Sequence, residues 1–132
     1  MLPCVLIIND FQSTLNQYAD LLESDKYELE LSNYDFEDIE MLERLKPRLI
    51  ILDFQVDSHN RFRGWQLLDK MQLSRTISSI PLIICTPSMT DIREQENYLQ
   101  DQGIVIFYKP FNLEKFVHKV QQMLEMSLSQ KE

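Results

Sequence analysis

The sequence predicts a single three-layer α/β/α domain, in which helices cover both faces of a five-stranded parallel sheet. Five short apolar runs alternate with segments whose apolar residues recur at helical spacing. Four of the runs are almost continuous in Val, Ile, Leu, Phe and Tyr, as expected for strands buried on both faces. Because strand and helix alternate throughout, the strands should pair in parallel through right-handed crossovers. We expect one domain over residues 1–132, with its core over about residues 3–127.

The apolar runs are the expected strands, and the second of them differs from the rest. The runs cover residues 4–9, 27–32, 48–53, 81–86 and 104–109. In the second run, the apolar side chains Tyr27, Leu29 and Leu31 alternate with Glu28 and Glu30. Alternation implies one solvent-exposed face, so this strand should lie at an edge of the sheet.

Apolar stripes with steps of three and four residues predict five helices between and after the strands. They are expected over about 11–24, from near Asp35 to a stop at Pro47, from near Gly64, over 89–102, and from Leu113 onwards. Asp35 and Asn112 are typical N-cap residues for the second and the last of these helices. Gly103 is placed to end the fourth helix in a left-handed conformation.

The charge and glycine content exclude several classes of function. There are 13 Lys and Arg residues against 21 Asp and Glu residues, which gives a formal net charge of −8. Such a field repels phosphate backbones and anionic lipid, so direct binding to nucleic acid or to a membrane is not expected. The chain has only two glycines, which leaves no Gly-rich loop of the Walker or dinucleotide-binding type.

The two cysteines and the N-terminus predict a reduced, cytoplasmic protein. Cys4 and Cys85 each lie in an apolar run, where they are either a redox pair or two small buried side chains. We favour the second interpretation, because the N-terminus lacks the basic region of a secretion signal. No apolar stretch approaches the roughly 18 residues of a membrane-spanning helix.

Polar side chains stand at the ends of four of the five predicted strands. Asn9 and Asp10 end the first strand, Asp53 the third, Thr86 the fourth and Lys109 the fifth. Ligands of an open α/β sheet bind beyond the carboxyl ends of its strands, so these side chains should face a common site. Two carboxylates with further oxygen donors suit Mg²⁺, while a lysine and a hydroxyl suit the oxygens of a phosphoryl group.

With these residues in this order and spacing, the chain resembles the receiver domain of two-component response regulators. The resemblance extends from the strand at Cys4 through the helix at Leu113. It implies a flavodoxin-like, doubly wound sheet with strand order 2-1-3-4-5 and five helices. It also implies a stand-alone receiver over residues 1–132 with no output domain.

The resemblance assigns a role to each residue of the site. Asp53 would be the phosphoacceptor, and Thr86 and Lys109 would bind the phosphoryl group. The implied Mg²⁺ ligands are Asp10, Asp53, the backbone carbonyl of Gln55 and, through water, Asn9. A histidine kinase or a phosphotransfer protein would donate the phosphoryl group from phosphohistidine.

The implied output is a change in protein–protein binding. A phosphoryl group adds roughly −1.5 to −2 charges, which is enough to bias a two-state surface through Thr86 and the fourth helix. The partners would be the phosphodonor and a downstream protein, and two copies could pair as a homodimer through the fourth helix, fifth strand and fifth helix. Such a domain is not an enzyme, although it assists its own Mg²⁺-dependent phosphorylation and dephosphorylation.

Two departures from the family pattern concern the site itself. Most receivers carry an acidic residue where Asn9 stands, so the amide should weaken Mg²⁺ binding. The loop over 55–63 lacks the usual Met-Pro turn and reaches Gly64 late. Its side chains His59, Arg61 and Arg63 could guard the phosphoryl site, but we favour an ordinary solvated longer loop.

A third departure concerns the output. Ile106 stands three residues before Lys109, where most receivers carry an aromatic switch residue. Strand alternation places Ile104, Ile106 and Tyr108 on one face of the sheet. Tyr108 is thus the nearest aromatic residue on that face. Either it acts as the output switch with the polar fourth helix, in place of Ile106, or it is a static residue at the rim of the site.

Three alternatives stay open at this point. A pseudo-receiver would use the same fold as a binding module without phosphorylation, as Asn9, Ile106 and the altered loop over 55–63 would allow. A phosphatase that forms an aspartyl phosphate would need a second aspartate where Gln55 stands, and a flavin carrier would need a better phosphate loop than Ser13-Thr14. Taken singly, the site residues also have simpler interpretations: Asp10 as a helix N-cap, Thr86 as a turn residue and Lys109 as a surface residue.

Overall fold

The computed structural model describes residues 2–33, 39–54, 58–87 and 90–129, with the backbone alone at 58–63, 90–91 and 129. Strands and helices alternate as predicted. The elements are β1 (Cys4–Ile8), α1 (Gln12–Leu22), β2 (Glu28–Ser32), α2 (Ile39–Leu45), β3 (Leu49–Asp53), α3 (Ser58–Leu73), α4 (Arg75–Ser78), β4 (Leu82–Pro87), α5 (Thr90–Asp101), β5 (Val105–Lys109) and α6 (Leu113–Ser129).

The five strands form one parallel sheet in the order β2-β1-β3-β4-β5, which confirms the predicted fold class and strand order. β3 lies at the centre and is buried along its whole length. β2 lies at an edge, and its glutamates Glu28 and Glu30 are exposed, as the alternating sequence predicts. The carboxyl ends of all five strands therefore meet at one edge of the sheet.

Each face of the sheet carries its own apolar core. On one face, α1 and α6 cover Val5, Ile7, Ile51 and Cys85 with side chains that include Tyr18 and Phe116. On the other face, α2, α3, α4 and α5 cover Leu6, Ile8, Ile50, Leu52 and Ile84. Burial of each such side chain stabilises the fold by roughly 1.5–3 kcal/mol, so the two cores suffice without a disulfide. Cys4 and Cys85 are free thiols, and burial raises the pKa of the Cys4 thiol to about 11.

The predicted helix ends at Asn112 and Gly103 are confirmed. The Asn112 side chain accepts a hydrogen bond of 2.9 Å from the backbone N–H of Lys115 and so caps α6. Gly103 has a φ of +82° and ends α5, where its N–H donates to the carbonyl of Gln100. Asp35, the expected cap of α2, lies outside the described residues.

The prediction that the third helix starts near Gly64 is wrong, as is the prediction of a loop over residues 58–63. α3 begins at Ser58, so Gly64 lies in its middle. A Cβ atom at Gly64 would stand 2.5 Å from Cε1 of the buried Phe54 ring, which follows β3. Glycine is present here because the helix passes directly over that ring, and not because the helix begins there.

The prediction of five helices misses one short helix. α4 spans only four residues and follows α3 after a break at Ser74, whose side chain accepts a hydrogen bond of 3.2 Å from the N–H of Ile77. A single turn has too few residues to show an apolar stripe, so helical periodicity could not predict it. Among the described residues, no helix is long and apolar enough to cross a bilayer.

Candidate functional site

Three of the residues predicted for the site are buried polar residues. Asn9, Asp53 and Thr86 have no exposed surface, and they complete the set of buried polar or charged residues in the described part of the chain. They lie at the carboxyl ends of β1, β3 and β4, as predicted. A buried polar group lowers stability unless it is satisfied, so a cluster of them at one edge indicates a functional site.

The strongest contact of the site joins Asp53 to Lys109. Nζ of Lys109, at the end of β5, lies 2.5 Å from Oδ1 of Asp53, at the end of β3. The lysine reaches across β4 to make this contact, and its own side chain is 28% exposed. The interpretation of Lys109 as a simple surface residue is therefore wrong.

Burial and neighbouring polar groups act in opposite directions on the pKa of the Asp53 carboxyl group. Burial raises the pKa of Asp53 above its ordinary value. The charge and hydrogen bond of Lys109 lower this pKa, as do the neighbouring polar groups of Tyr18 and Asn9. Burial is the largest of these effects and leaves the pKa raised, while the Lys109 ammonium favours the ionised carboxylate, which is the nucleophilic form.

Asn9 links the ends of β1 and β3 through its amide group. Its Oδ1 accepts a hydrogen bond of 2.7 Å from the N–H of Phe11, and its Nδ2 donates to the backbone carbonyl of Asp53 at 3.4 Å. A carboxylate could not make the second contact, because it has no N–H to donate. The amide therefore has a structural role at the position where most receivers carry an acid.

Asp10 is not the N-cap of α1, so the simpler interpretation of this residue as a helix cap is wrong. The N-cap residue of α1 is Phe11, whose side chain makes no capping hydrogen bond. Asp10 is half-buried beside Asn9, and both border a small cavity of about 270 Å³ together with Ser32. Its carboxyl group is therefore at the carboxyl edge of the sheet, next to the end of β1.

The model of one protein family matches most of the chain. The family described as "Response regulator receiver domain" matches residues 5–121.

The chain belongs to the response regulator receiver domain family.

Solved structures of receivers share the fold of this chain. A CheY-like receiver domain protein from Methanospirillum hungatei superposes with a TM-score of 0.76 at 21% identity, covering 98% of this chain and 99% of that one. The receiver-modulated diguanylate cyclase of Pelobacter carbinolicus gives 0.72 at 22% identity, covering 98% of each chain. The chemotaxis response regulator CheY4 of Vibrio cholerae gives 0.70 at 20% identity, with 93% and 99% covered. No curated protein matches the sequence.

Membership of the family gives this receiver a general role. Receivers are the phosphoacceptor signalling domains of two-component systems, and they interact with histidine kinases or phosphotransfer proteins and with downstream effectors. They generally bind Mg²⁺ at an acidic pocket.

The donor set of this receiver fits Mg²⁺ with a small number of protein ligands. The carboxylates of Asp10 and Asp53 are hard oxygen donors, which this ion prefers. The described residues contain no group of three or more His, Cys, Asp or Glu side chains placed to hold a metal ion. Two carboxylates with water are nonetheless a usual magnesium environment. Gln55, whose backbone carbonyl was the further predicted ligand, lies outside the described residues.

Thr86 lies on the face of the sheet opposite to the one that carries Asp53. Leu82 and Ile84 lie in the core beneath α5, so alternation directs Thr86 to the same side. Its Oγ1 donates a hydrogen bond of 3.0 Å to the carbonyl of Pro87. In this structure the hydroxyl is thus bound to its own strand end.

Tyr108 and Ile106 occupy the face that strand alternation predicts. Both pack against the core between the sheet and α5. The Tyr108 hydroxyl donates a hydrogen bond of 3.0 Å to Oε1 of Glu96, and the guanidinium carbon of Arg93 lies 4.0 Å from the centre of its ring. Tyr108 is therefore attached to α5 by a hydrogen bond and a cation–π contact, whereas Ile106 contacts α5 only by packing.

Tyr18 is a further residue of the site, although its position on an apolar helix stripe predicts only a core residue. It lies in α1, and its side chain lines the same cavity as Asp53 and Lys109. One signal could have identified it, because a buried tyrosine on an apolar helix stripe needs a partner for its hydroxyl. The side chains of His59, Arg61 and Arg63, which could have guarded the phosphoryl site, lie outside the described part of the chain.

Proposed function

We propose that this receiver accepts a phosphoryl group on Asp53 from the phosphohistidine of a histidine kinase or phosphotransfer protein. The contact between Asp53 and Lys109 is the observation that supports this most directly. It places a buried carboxylate at the carboxyl edge of the sheet, next to a cation that is itself partly exposed. An Asp–Lys pair in this position provides a nucleophile together with a positive charge for the incoming phosphoryl oxygens.

The residues of the site have separate parts in the transfer. A carboxylate oxygen of Asp53 forms the new bond to phosphorus while the phosphorus–nitrogen bond of the donor breaks, and the electron pair of that bond stays on the imidazole. Lys109 moves with the phosphoryl group and pairs with its oxygens. Thr86 gives up its hydrogen bond to Pro87 and donates to a phosphoryl oxygen instead.

Mg²⁺ would be held by Asp10 and Asp53, by the Gln55 carbonyl and, through water, by Asn9. When bound, the ion supplies positive charge that offsets the charge on the phosphoryl oxygens. The Oδ1 atom of Asn9 already accepts the N–H of Phe11, so it has one lone pair left for such a water. We therefore propose weaker Mg²⁺ binding than an acidic residue at this position would give.

The proposed output is altered binding of a downstream protein, with Tyr108 rather than Ile106 as the switch residue. Thr86 is next to Tyr108 across the sheet, and Tyr108 contacts two polar residues of α5. The function is signalling in the cytoplasm, and pairing of two copies belongs to the same proposal.

A pseudo-receiver is the second candidate, and the hydrogen bonds of Asn9 favour it. Both ends of the Asn9 amide are engaged in holding strand ends together, which is a structural use of a metal-binding position. In a pseudo-receiver Asp53 would stay unmodified, and partner binding would be independent of any phosphodonor.

Incubation with acetyl phosphate and Mg²⁺, followed by intact-mass measurement, separates the two candidates. We expect the wild type to gain one phosphoryl group and Asp53→Asn to gain none. Asp69→Asn is the matched control, because Asp69 is an exposed aspartate on α3, and it should behave as the wild type. Absence of an adduct at saturating donor and Mg²⁺ would establish the pseudo-receiver instead.

A further inference from the structure

Tyr18 projects from α1 into the face of the sheet that carries Asp53. Its side chain is 6% exposed, and its ring lies 5.8 Å from that of Phe116 on α6. Leu49 and Ile51 belong to the core beneath α1 and α6, so alternation along β3 directs Asp53 to this same face. The packing of the ring thus holds the Tyr18 hydroxyl at a defined place near the end of β3.

A lateral cavity brings Tyr18 together with the reacting groups. The cavity has a volume of about 570 Å³ and opens between α1 and the turn that leads into α6. Tyr18, Asp53 and Lys109 line it, together with apolar side chains that include Leu21 and Phe111. The carboxyl group of Asp53 is therefore bordered from the side by two donors, one on β5 and one on α1.

We propose that Tyr18 is a positioning residue for the phosphoacceptor, and this rests on the function proposed above. The Tyr18 hydroxyl and the Lys109 ammonium border the Asp53 carboxyl group in one cavity. In this role the hydroxyl donates to the carboxylate and, together with Lys109, fixes the plane of that group. The terminal torsion of an aspartate is broad, so a single donor leaves the carboxylate free to rotate. Two donors on one side keep an attacking oxygen directed towards the carboxyl edge of the sheet, where the donor arrives.

The chemistry of the neighbouring groups supports Asp53 as the acceptor. Cys85 is the register partner of Asp53 on β4, and it belongs to the same apolar core as Tyr18. A carboxylate accepts hydrogen bonds much more strongly than a thiol does. Burial also raises the pKa of Tyr18, so its hydroxyl keeps the proton that it donates.

Tyr18→Phe tests the proposal because it removes one oxygen atom and keeps the ring against Phe116. With acetyl phosphate as the donor, we expect the maximal phosphorylation rate constant to fall on the order of tenfold. The donor concentration for half-maximal rate should stay unchanged, because Tyr18 holds the nucleophile and not the donor. A general loss of folding would not produce this separation of the two constants.

Tyr27→Phe is the matched control, because Tyr27 also carries a buried hydroxyl that is hydrogen-bonded. That hydroxyl donates to the carbonyl of Leu22 at 2.6 Å, at the C-terminal end of α1. Tyr27→Phe should lower the free energy of unfolding and leave the phosphorylation rate of the folded protein unchanged. The opposite pattern is expected for Tyr18→Phe, with a smaller effect on stability and a larger one on rate.

A spectroscopic measurement tests the contact without any phosphodonor. The ¹³Cζ resonance of Tyr18, assigned by its loss in Tyr18→Phe, should move in Asp53→Asn, while that of Tyr27 should not. If the wild type is phosphorylated and Tyr18→Phe reacts at the same rate, the positioning role is wrong and the proposed function stands. An unmoved Tyr18 resonance also overturns it, and a wild type that takes no phosphoryl group overturns both proposals.

Discussion

Thr86 and Tyr108 are direct neighbours across β4 and β5, with their Cα atoms in register. Tyr108 continues this connection to α5, because its hydroxyl donates to Glu96 and its ring lies under Arg93. A movement of Thr86 towards the phosphoryl site therefore has a short route to the surface of α5. Ile106 is in register with Ile84 and has no polar contact to transmit such a movement.

Tyr108→Ala should uncouple α5 from the phosphoryl site, whereas Ile106→Ala should not. Amide hydrogen exchange in α5, measured with and without acetyl phosphate, reports the coupling. We expect the change in exchange on phosphorylation to be lost in Tyr108→Ala and kept in Ile106→Ala. The same ranking is expected for the ratio of partner affinities between the two states. If α5 responds to phosphorylation in Tyr108→Ala as it does in the wild type, Tyr108 is not the switch residue.

Asn9→Asp should strengthen Mg²⁺ binding and weaken the metal-free fold. The aspartate adds a carboxylate at the metal position but loses the donor to the Asp53 carbonyl. Without Mg²⁺ we expect the free energy of unfolding to fall by about 1–3 kcal/mol, because a buried negative charge is added close to Asp53. Chemical denaturation in EDTA and in saturating Mg²⁺ measures both effects.

Trp65 provides a reporter for the same titration, because its ring lies 5.6 Å from that of Phe54, directly after Asp53. Fluorescence should show a lower half-saturating Mg²⁺ concentration for Asn9→Asp than for the wild type. If stability in EDTA and Mg²⁺ affinity both stay at wild-type values, Asn9 is not at the metal position.

Asp53→Asn should be more stable than the wild type at neutral pH. The pKa of Asp53 is raised in the folded protein by burial, so the fold favours the neutral carboxyl form. For a raised carboxyl pKa, the stabilising contribution is complete below the unfolded-state pKa and is lost as pH rises through the folded-state pKa. The asparagine does not ionise, so its advantage should be present at pH 7 and shrink as the pH approaches 4.

Urea unfolding in EDTA across this pH range measures the difference, and Asp69→Asn is again the exposed control. Lys109 tolerates the loss of its ion pair because its side chain is 28% exposed and can reach water. A variant that is less stable than the wild type at pH 7 would show that the Asp53–Lys109 pair outweighs the effect of burial.

Gly64→Ala should destabilise the domain although alanine favours helices. The new Cβ would stand 2.5 Å from the Phe54 ring, which is fully buried and cannot withdraw freely. Such overpacking usually lowers the free energy of unfolding by about 1–3 kcal/mol, which exceeds the helical gain of about 1 kcal/mol. Gln66→Ala, at an exposed position of α3, is the control and should be close to neutral. An increase in melting temperature for Gly64→Ala would rule out the close approach.

Local patterns in the sequence were enough for most of the fold. Apolar runs of six residues predicted the strands, and the alternation of Glu28 and Glu30 with apolar residues predicted an edge for β2. The caps at Gly103 and Asn112 follow from the chemistry of single residues. These signals are readable because each depends only on residues a few positions apart.

The positions of Asp53, Thr86 and Asn9 could also be predicted, since each stands at the end of an apolar run. Their partners could not. Asn9 meets the carbonyl of Asp53 across 44 positions of the chain, and Lys109 meets its carboxylate across 56. The family resemblance, and not the spacing alone, connected Asp53 with Lys109 before the structure did.

What the sequence by itself determined is the set of elements and the strand ends at which polar residues stand, because periodicity and capping are local properties. Only the tertiary structure decided which residues lie together: Tyr18 with Asp53 around one cavity, Tyr108 with Glu96, and Gly64 with Phe54. The two residues of each pair come from different parts of the fold, and the distance between them depends on how the helices pack against the sheet. That docking is set by the packing of two whole cores, which no short stretch of sequence records.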